Sequence, residues 1–245
     1  MSGWLLLRGW SRGVRHWGSF PARLEAAVAA PVRAADLPGN GRLHARRSPL
    51  SIARIADEVR HGAGTSGPRY LLGISLGAMV SLEWARLYPG EIAGCVLLNT
   101  SLRPFSSFYE RLRPRAYATL ARLALFERDP HAREAAILRL TSSASPDAAL
   151  ISEFARYAEE EPVTRANVLR QLVAAARYRG PESPPPVPML VLASRRDDLV
   201  DVRCSMALAS RWGIPIAVHE SAGHDLALDD ASWVAARVRE WLRRT

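Results

Sequence analysis

The sequence contains no lysine: all 33 residues in its Lys+Arg total are arginine. Against 24 acidic residues this leaves a formal net charge of +9. A chain this basic raises the question of a nucleic-acid or acidic partner. Its arginines are scattered, however, and accompany no nucleic-acid recognition motif. The bias reads as the codon usage of a GC-rich genome, and nucleic acid is not an expected partner. Cysteine is equally scarce. Cys95 and Cys204 stand in no Cys-x-x-Cys pair or Cys/His cluster, which argues against a disulfide framework and a zinc site and predicts two buried free thiols. Long apolar runs are missing too. Trp4-Leu5-Leu6-Leu7 stops at Arg8, short of a signal peptide's apolar region, and nothing later approaches the roughly 18 apolar residues of a membrane span. The expectation is a cytoplasmic protein with no membrane partner.

What is present is enough apolar residue, 48% of 245 positions, for one large domain or one domain with an insertion. Short apolar segments at 3–7, 31–35, 70–72, 93–99, 189–193 and 214–219 read as strands. Helical patterns separate them at 16–30, at 50–61 with Ser48 as the cap, after Ser75, at 205–212 and at 232–243. Near-continuous apolar strands alternating with helices predict an α/β fold with a mostly parallel sheet of about six strands, covered on both faces. The rhythm breaks at 101–180, where helical segments at 117–126, 132–140, 148–159 and 164–177 follow one another without a strand. The organisation is a core of 1–100 and 181–245 with an all-helical insertion at 101–180. Gly62-Ala63-Gly64-Thr65-Ser66-Gly67 matches Gly-x-Gly-x-x-Gly, but it follows a helix and precedes a strand. A dinucleotide site needs the reverse order, so a turn is expected there.

The chemistry gathers at Gly73-Ile74-Ser75-Leu76-Gly77, between an apolar strand and a helix. Glycines on both sides allow strand and helix to approach closely, with a serine hydroxyl at the apex. The five residues alone also fit an ordinary strand-to-helix turn. Sites in an open parallel sheet form outside the C-terminal strand ends. Three such ends carry Ser75, then Asp197 and Asp198, then His224. A serine hydroxyl needs an imidazole to take its proton, and the imidazole needs a carboxylate to fix its tautomer. His224 follows a glycine in the loop after the last strand, whereas His219 lies within that strand and His16, His44, His61 and His131 lie on helices or turns. Asp225 reads as a surface or hydrogen-bonding residue.

Taken in order, the glycine-aromatic loop at 7–10, Asp36-Leu37-Pro38-Gly39-Asn40-Gly41, the serine turn, the helical insertion, Asp197-x-x-Val200 and Gly223-His224 resemble the α/β-hydrolases over nearly the whole chain. The resemblance implies Ser75 as nucleophile, His224 as base and Asp197, in phase with Val200, as the acid. It implies an oxyanion hole from the backbone N–H groups of Leu76 and Trp10, with no metal or cofactor. The insertion would be a lid, with Phe105, Phe108 and Tyr109 as pocket walls. Arg8 stands where the family usually has histidine, and is a candidate to bind a substrate acid. The family also has an antiparallel hairpin before the first strand found here. Its absence would expose that strand for pairing, which makes a monomer or a homodimer the expected states.

The implied activity is hydrolysis of a carboxylic ester or thioester. Among lidded members the chain is similar to the methyl-ester esterases that act on pimeloyl-acyl-carrier protein, and an acidic carrier would suit Arg111, Arg113, Arg115, Arg122 and Arg139. The alternatives are a cofactor-free peroxidase or carbon–carbon-bond hydrolase using the same three residues, and a non-catalytic binding protein. Dehalogenases and epoxide hydrolases are disfavoured, since they carry aspartate where Ser75 stands.

Overall fold

A computed structural model describes residues 2–64 and 67–245. Among them the chain forms one six-stranded parallel sheet: β1 (Trp4–Leu7), β2 (Val32–Ala35), β3 (Arg69–Ile74), β4 (Ile92–Leu98), β5 (Met189–Ser194) and β6 (Ile216–His219), in the order β2-β1-β3-β4-β5-β6. The chain starts inside the sheet, steps outward to β2, then crosses back to build β3 through β6 on the other side of β1. The order therefore reverses between β1 and β3, and a crevice opens at their C-terminal ends. Thr65 and Ser66, in the expected glycine-rich turn, lie outside the described residues.

Successive strand side chains point to opposite faces, and both faces are filled. Leu5, Leu7, Leu71, Cys95, Leu97 and Val191 pack with α2 (Ile52–Ala63), α3 (Leu76–Leu87) and α9 (Val202–Trp212). Leu6, Leu72, Val96, Leu98, Leu190 and Leu192 pack with α1 (Phe20–Val28), α10 (Leu226–Asp229) and α11 (Ala231–Leu242). Burial on both sides is why the strands read as continuous apolar runs rather than as alternating ones. Cys95 and Cys204 are free and buried.

Between β4 and β5 the described residues form helices only: α4 (Phe108–Arg111), α5 (Pro114–Leu125), α6 (Pro130–Thr141), α7 (Ala148–Glu160) and α8 (Arg165–Arg177). Asp129, Asp147 and Thr164 cap α6, α7 and α8 through side-chain oxygens that accept helix N–H groups. No helix among the described residues is long and apolar enough to cross a membrane.

Three local expectations change. The helix expected over 16–30 is two pieces, a 3-10 turn at Val14–Trp17 and then α1, because Gly18 adopts φ +52° between them. Ser48 caps nothing: α2 starts after Ser51, and the buried Ser48 instead donates its backbone N–H to Asn167 Oδ1 at 2.9 Å. The first strand is not exposed for pairing, since β1 is flanked by β2 and β3 and the edge beside it is β2.

The closest backbone approach in the crevice is made by two glycines. A Cβ on Gly77 would collide with the carbonyl oxygens of Leu7 and Arg8, and one on Gly73 would lie 2.6 Å from Ala78 N. Among the described residues nothing lies within 4 Å of a Cβ placed on Gly62, near the end of α2. Gly77→Ala should therefore lower the unfolding free energy by at least about 1–3 kcal/mol through overpacking. Gly62→Ala should raise it by roughly 0.5–1 kcal/mol through helix propensity. Urea denaturation midpoints of the two variants check the opposite signs.

Candidate active site

Ser75 sits between β3 and α3 with φ 55° and ψ −116°, a conformation that costs a residue with a Cβ about 1–3 kcal/mol. The surroundings hold it there. Ser75 N donates to Leu98 O at 2.9 Å, and Ser75 O accepts from Ala78 N and Met79 N. Among the described residues four non-glycines have positive φ, and three of them, Ser11, Ser75 and Asn99, line one cavity. Beside the serine lies the loop that leaves β1. A Cβ on Gly9 would be 3.3 Å from both Ile74 O and Ser75 Cβ, a tight contact at which the neighbours would have to give. The backbone N–H groups of Trp10 and Leu76 donate to no protein acceptor among the described residues. They are thus available to an oxyanion in the same cavity.

His224, on the loop after β6, is buried, and its Nδ1 lies 2.6 Å from Asp197 Oδ2. The other Asp197 oxygen accepts the N–H groups of Leu199 and Val200 at 2.8 and 2.9 Å. This explains the Asp-x-x-Val spacing: the carboxylate is oriented by its own turn, and its free oxygen faces the imidazole. Asp198, one residue out of phase, is half-exposed and paired with Arg115 at 2.5 Å. Ser75 and His224 line the same cavity. Ser75 Oγ makes no hydrogen bond among the described residues, and such nucleophile–base contacts commonly tighten only around substrate.

The cavity is about 580 Å³. Its walls come from α5, α6 and α8, with Leu120, Leu123, Ile137, Leu140, Val168 and Leu172 facing in. It is large enough for a sizeable organic ligand and is predominantly apolar. Phe105, Phe108 and Tyr109 are not among its walls. Phe105 packs into the core against Trp212, 5.8 Å between ring centroids, while Phe108 and Tyr109 are 76% and 50% exposed. α4 turns Arg111, not its two aromatics, toward the cavity. Among the described residues no three His, Cys, Asp or Glu side chains converge on a metal-sized site.

Arg8 and Asp225 form a buried pair on the wall of this cavity. Arg8 is 3% exposed, and its two terminal nitrogens donate to the two Asp225 oxygens at 2.9 and 2.5 Å. Its guanidinium lies over the Trp17 ring. It lines the cavity while paired with a buried carboxylate. Asp225, read as a surface or hydrogen-bonding residue, takes the second role, buried against Arg8. Removing either partner would strand a buried charge, at about 3–5 kcal/mol.

Sequence reasoning missed Asn99. Its amide donates to Ser194 Oγ and to His224 O, and its Oδ1 accepts Ser194 N. It thereby locks the ends of β4 and β5 to the histidine loop. A buried polar residue closing the apolar run of β4 was the signal for it.

A sequence model of the Alpha/beta hydrolase family matches residues 4–237. The chain belongs to the alpha/beta hydrolase family. No curated protein matches it. Among solved structures, a protein assigned as an aryl esterase from Burkholderia cenocepacia is 21% identical, with a TM-score of 0.76, over 99% of this chain and 90% of that one. A protein assigned as a lipase (lip1) from Acinetobacter baumannii AYE is 20% identical, with a TM-score of 0.75, over 99% and 84%. A protein assigned as a non-heme bromoperoxidase, BpoC, from Mycobacterium tuberculosis H37Rv is 18% identical, with a TM-score of 0.76, over 100% and 93%. At these identities the likeness is one of fold.

In this alpha/beta hydrolase, burial alone lowers the His224 pKa. The Asp197 charge and hydrogen bond, joined by the Asp225 charge, outweigh burial and the opposing Arg8, and the net shift is upward. At Asp225 burial raises the carboxyl pKa, but the Arg8 charge and hydrogen bonds win, and it falls below its ordinary value. His224 should therefore titrate above histidine's ordinary value of about 6.5 in an NMR pH series, and Asp197→Asn should move it down. Because the folded value exceeds the unfolded one, the charged imidazole stabilises the fold. That contribution is complete below about pH 6.5 and is lost as pH rises through the folded pKa.

Proposed function

We propose that this protein is a serine hydrolase that cleaves a carboxylic ester or thioester through an acyl-enzyme. The observation that carries the proposal is the buried 2.6 Å hydrogen bond from His224 Nδ1 to Asp197 Oδ2, on a cavity that also presents Ser75 on a positive-φ turn. In this reading His224 takes the Ser75 proton as Oγ attacks the acyl carbon. Asp197 holds the imidazole in the tautomer with its proton on Nδ1, which leaves Nε2 to act as base. The carbonyl oxygen becomes an oxyanion that accepts the Trp10 and Leu76 N–H groups. His224 then passes its proton to the departing alcohol or thiol, and water repeats the sequence to release the acid. The α4–α8 insertion serves as a lid whose apolar walls receive the acyl group and exclude water.

The substrate we infer has an apolar acyl group, because the cavity walls from α5, α6 and α8 are predominantly apolar. A carrier-protein methyl ester, as in the pimeloyl type, is the narrower form of this proposal. Of the five arginines that suggested it, Arg111 binds Ala175 and Ala176 carbonyls, Arg113 binds Asp197 O, and Arg115 binds Asp197 O and Asp198. Arg122 and Arg139 remain exposed and pair with no carboxylate among the described residues. If they hold an acidic carrier, rates on carrier-bound ester should drop between about 50 and 300 mM salt as screening takes over. Equal rates would remove the carrier from the proposal.

A fluorophosphonate should label the wild-type protein at Ser75 and leave Ser75→Ala unlabelled. Asp197→Asn should lower kcat on an aryl ester by roughly 10³–10⁴-fold. The acid limb of kcat/KM should inflect above about pH 6.5, since the base must be neutral. Folded wild-type protein that neither labels nor turns over an aryl ester without peroxide would end the esterase reading. Peroxide-dependent turnover in its place would favour the peroxidase alternative.

A further inference from the structure

The loop that supplies Trp10 has one backbone bond of its own, Arg12 N to Gly9 O at 3.3 Å, and takes its other fastenings from outside. Ser11 adopts φ +54°, and the hydrogen bonds that keep it there come from the helical insertion. Ser11 N donates to Gln171 Oε1 at 3.0 Å, and the Trp10 indole donates to Val168 O at 2.8 Å, both on α8. Gln171 continues the chain, donating from Nε2 to Asn40 Oδ1 at 2.7 Å and to Pro38 O at 3.3 Å. Asn40 in turn donates to Arg12 O at 3.1 Å and Gly9 O at 3.5 Å, so the loop is gripped on both sides. Both amides are fully buried. Their orientations are dictated by their neighbours. Ser11 N can only donate, and Pro38 O, Gly9 O and Arg12 O can only accept, so each amide has a single arrangement that satisfies every partner.

We propose that Gln171 is a positioning residue for the reaction: it fixes the peptide whose Trp10 N–H completes the oxyanion hole, so that docking of α8 and reactivity of Ser75 rise and fall together. The proposal rests on the serine-hydrolase reading above. Gln171 touches no reacting atom in this role. It acts through Ser11 and Asn40, and a misplacement of the Trp10 amide by a fraction of an ångström is enough to weaken an oxyanion contact.

The test uses Gln171→Leu, which removes both ends of the amide, and Gln171→Glu, which keeps an acceptor for Ser11 N and loses the donor to Asn40 and Pro38. Each is assayed on an aryl ester well below its own melting temperature. The expected result is a kcat about 10–100-fold lower with KM held within about threefold. Inhibition by an alkyl boronate, whose tetrahedral adduct uses the oxyanion hole, should weaken by the same factor as kcat/KM. Hydrogen exchange should speed up across residues 9–12 and not across 74–77. Wild-type kcat in the folded variants, or a loss of kcat with unchanged exchange at 9–12, overturns the proposal. If the wild type shows no Ser75-dependent turnover, the esterase reading fails instead. The exchange measurement then decides by itself whether Gln171 holds the loop. Should the leucine variant not fold, the glutamate variant carries the same readouts.

Discussion

The constraint on which the rest of the site depends is the contact between the start of α3 and the end of β1. Gly77 stands so close to the Leu7 and Arg8 carbonyls that no side chain fits. That approach brings two separate segments together at the point where the sheet order reverses. One is the turn that lifts Ser75 out of β3, and the other is the loop that carries Gly9 and Trp10 away from β1. A sheet of the same strands with a bulkier residue at 77 would hold its core and separate these segments. The strain at Ser75 is held by this packing and by the Leu98 hydrogen bond beneath it.

The remaining pieces are fastened to that centre by buried polar groups. Asn99 ties the histidine loop to the ends of β4 and β5. Arg8 and Asp225 join the β1 loop to the residue after His224 across 217 positions of sequence. Arg12 makes a second buried pair with Glu134 on α6, at 2.6 Å. The acid loop is held from α5, through Arg113 and Arg115 on the Asp197 carbonyl, and the histidine loop from the end of α6, through Asp225 N on Thr141 O at 2.7 Å. The loops that carry Trp10, Asp197 and His224 thus each have a hydrogen bond to the insertion, while the Ser75 turn is held from β4. The insertion is a fixed part of the site's framework as well as the wall of its cavity.

The absence of lysine takes on a structural meaning here. Several of these fasteners need a planar cation with donors in a fixed fork, either bidentate on a carboxylate, as at Arg8, or spread over carbonyls, as at Arg111. A lysine ammonium offers neither geometry. The fold makes use of the guanidinium that this composition supplies.

The sequence by itself determined what is local. Apolar runs located the strands, because a strand buried on both faces needs nothing but its own residues to be recognised. The glycines around Ser75 and the two-residue gap from Asp197 to Val200 identified turns whose hydrogen bonds close within three residues, so Asp197 and Asp198 were separable by phase. The tertiary structure decided what depends on partners far along the chain. Arg8 read as a free cation because its carboxylate lies 217 residues away. Phe105, Phe108 and Tyr109 read as pocket walls because proximity in sequence to a strand end says nothing about which way a short helix turns. Gln171 had no signal at all, being one polar residue within a helix whose buried face is defined only once α8 lies on the loop after β1. Periodicity encodes which face of an element is buried, and only packing fixes against which group.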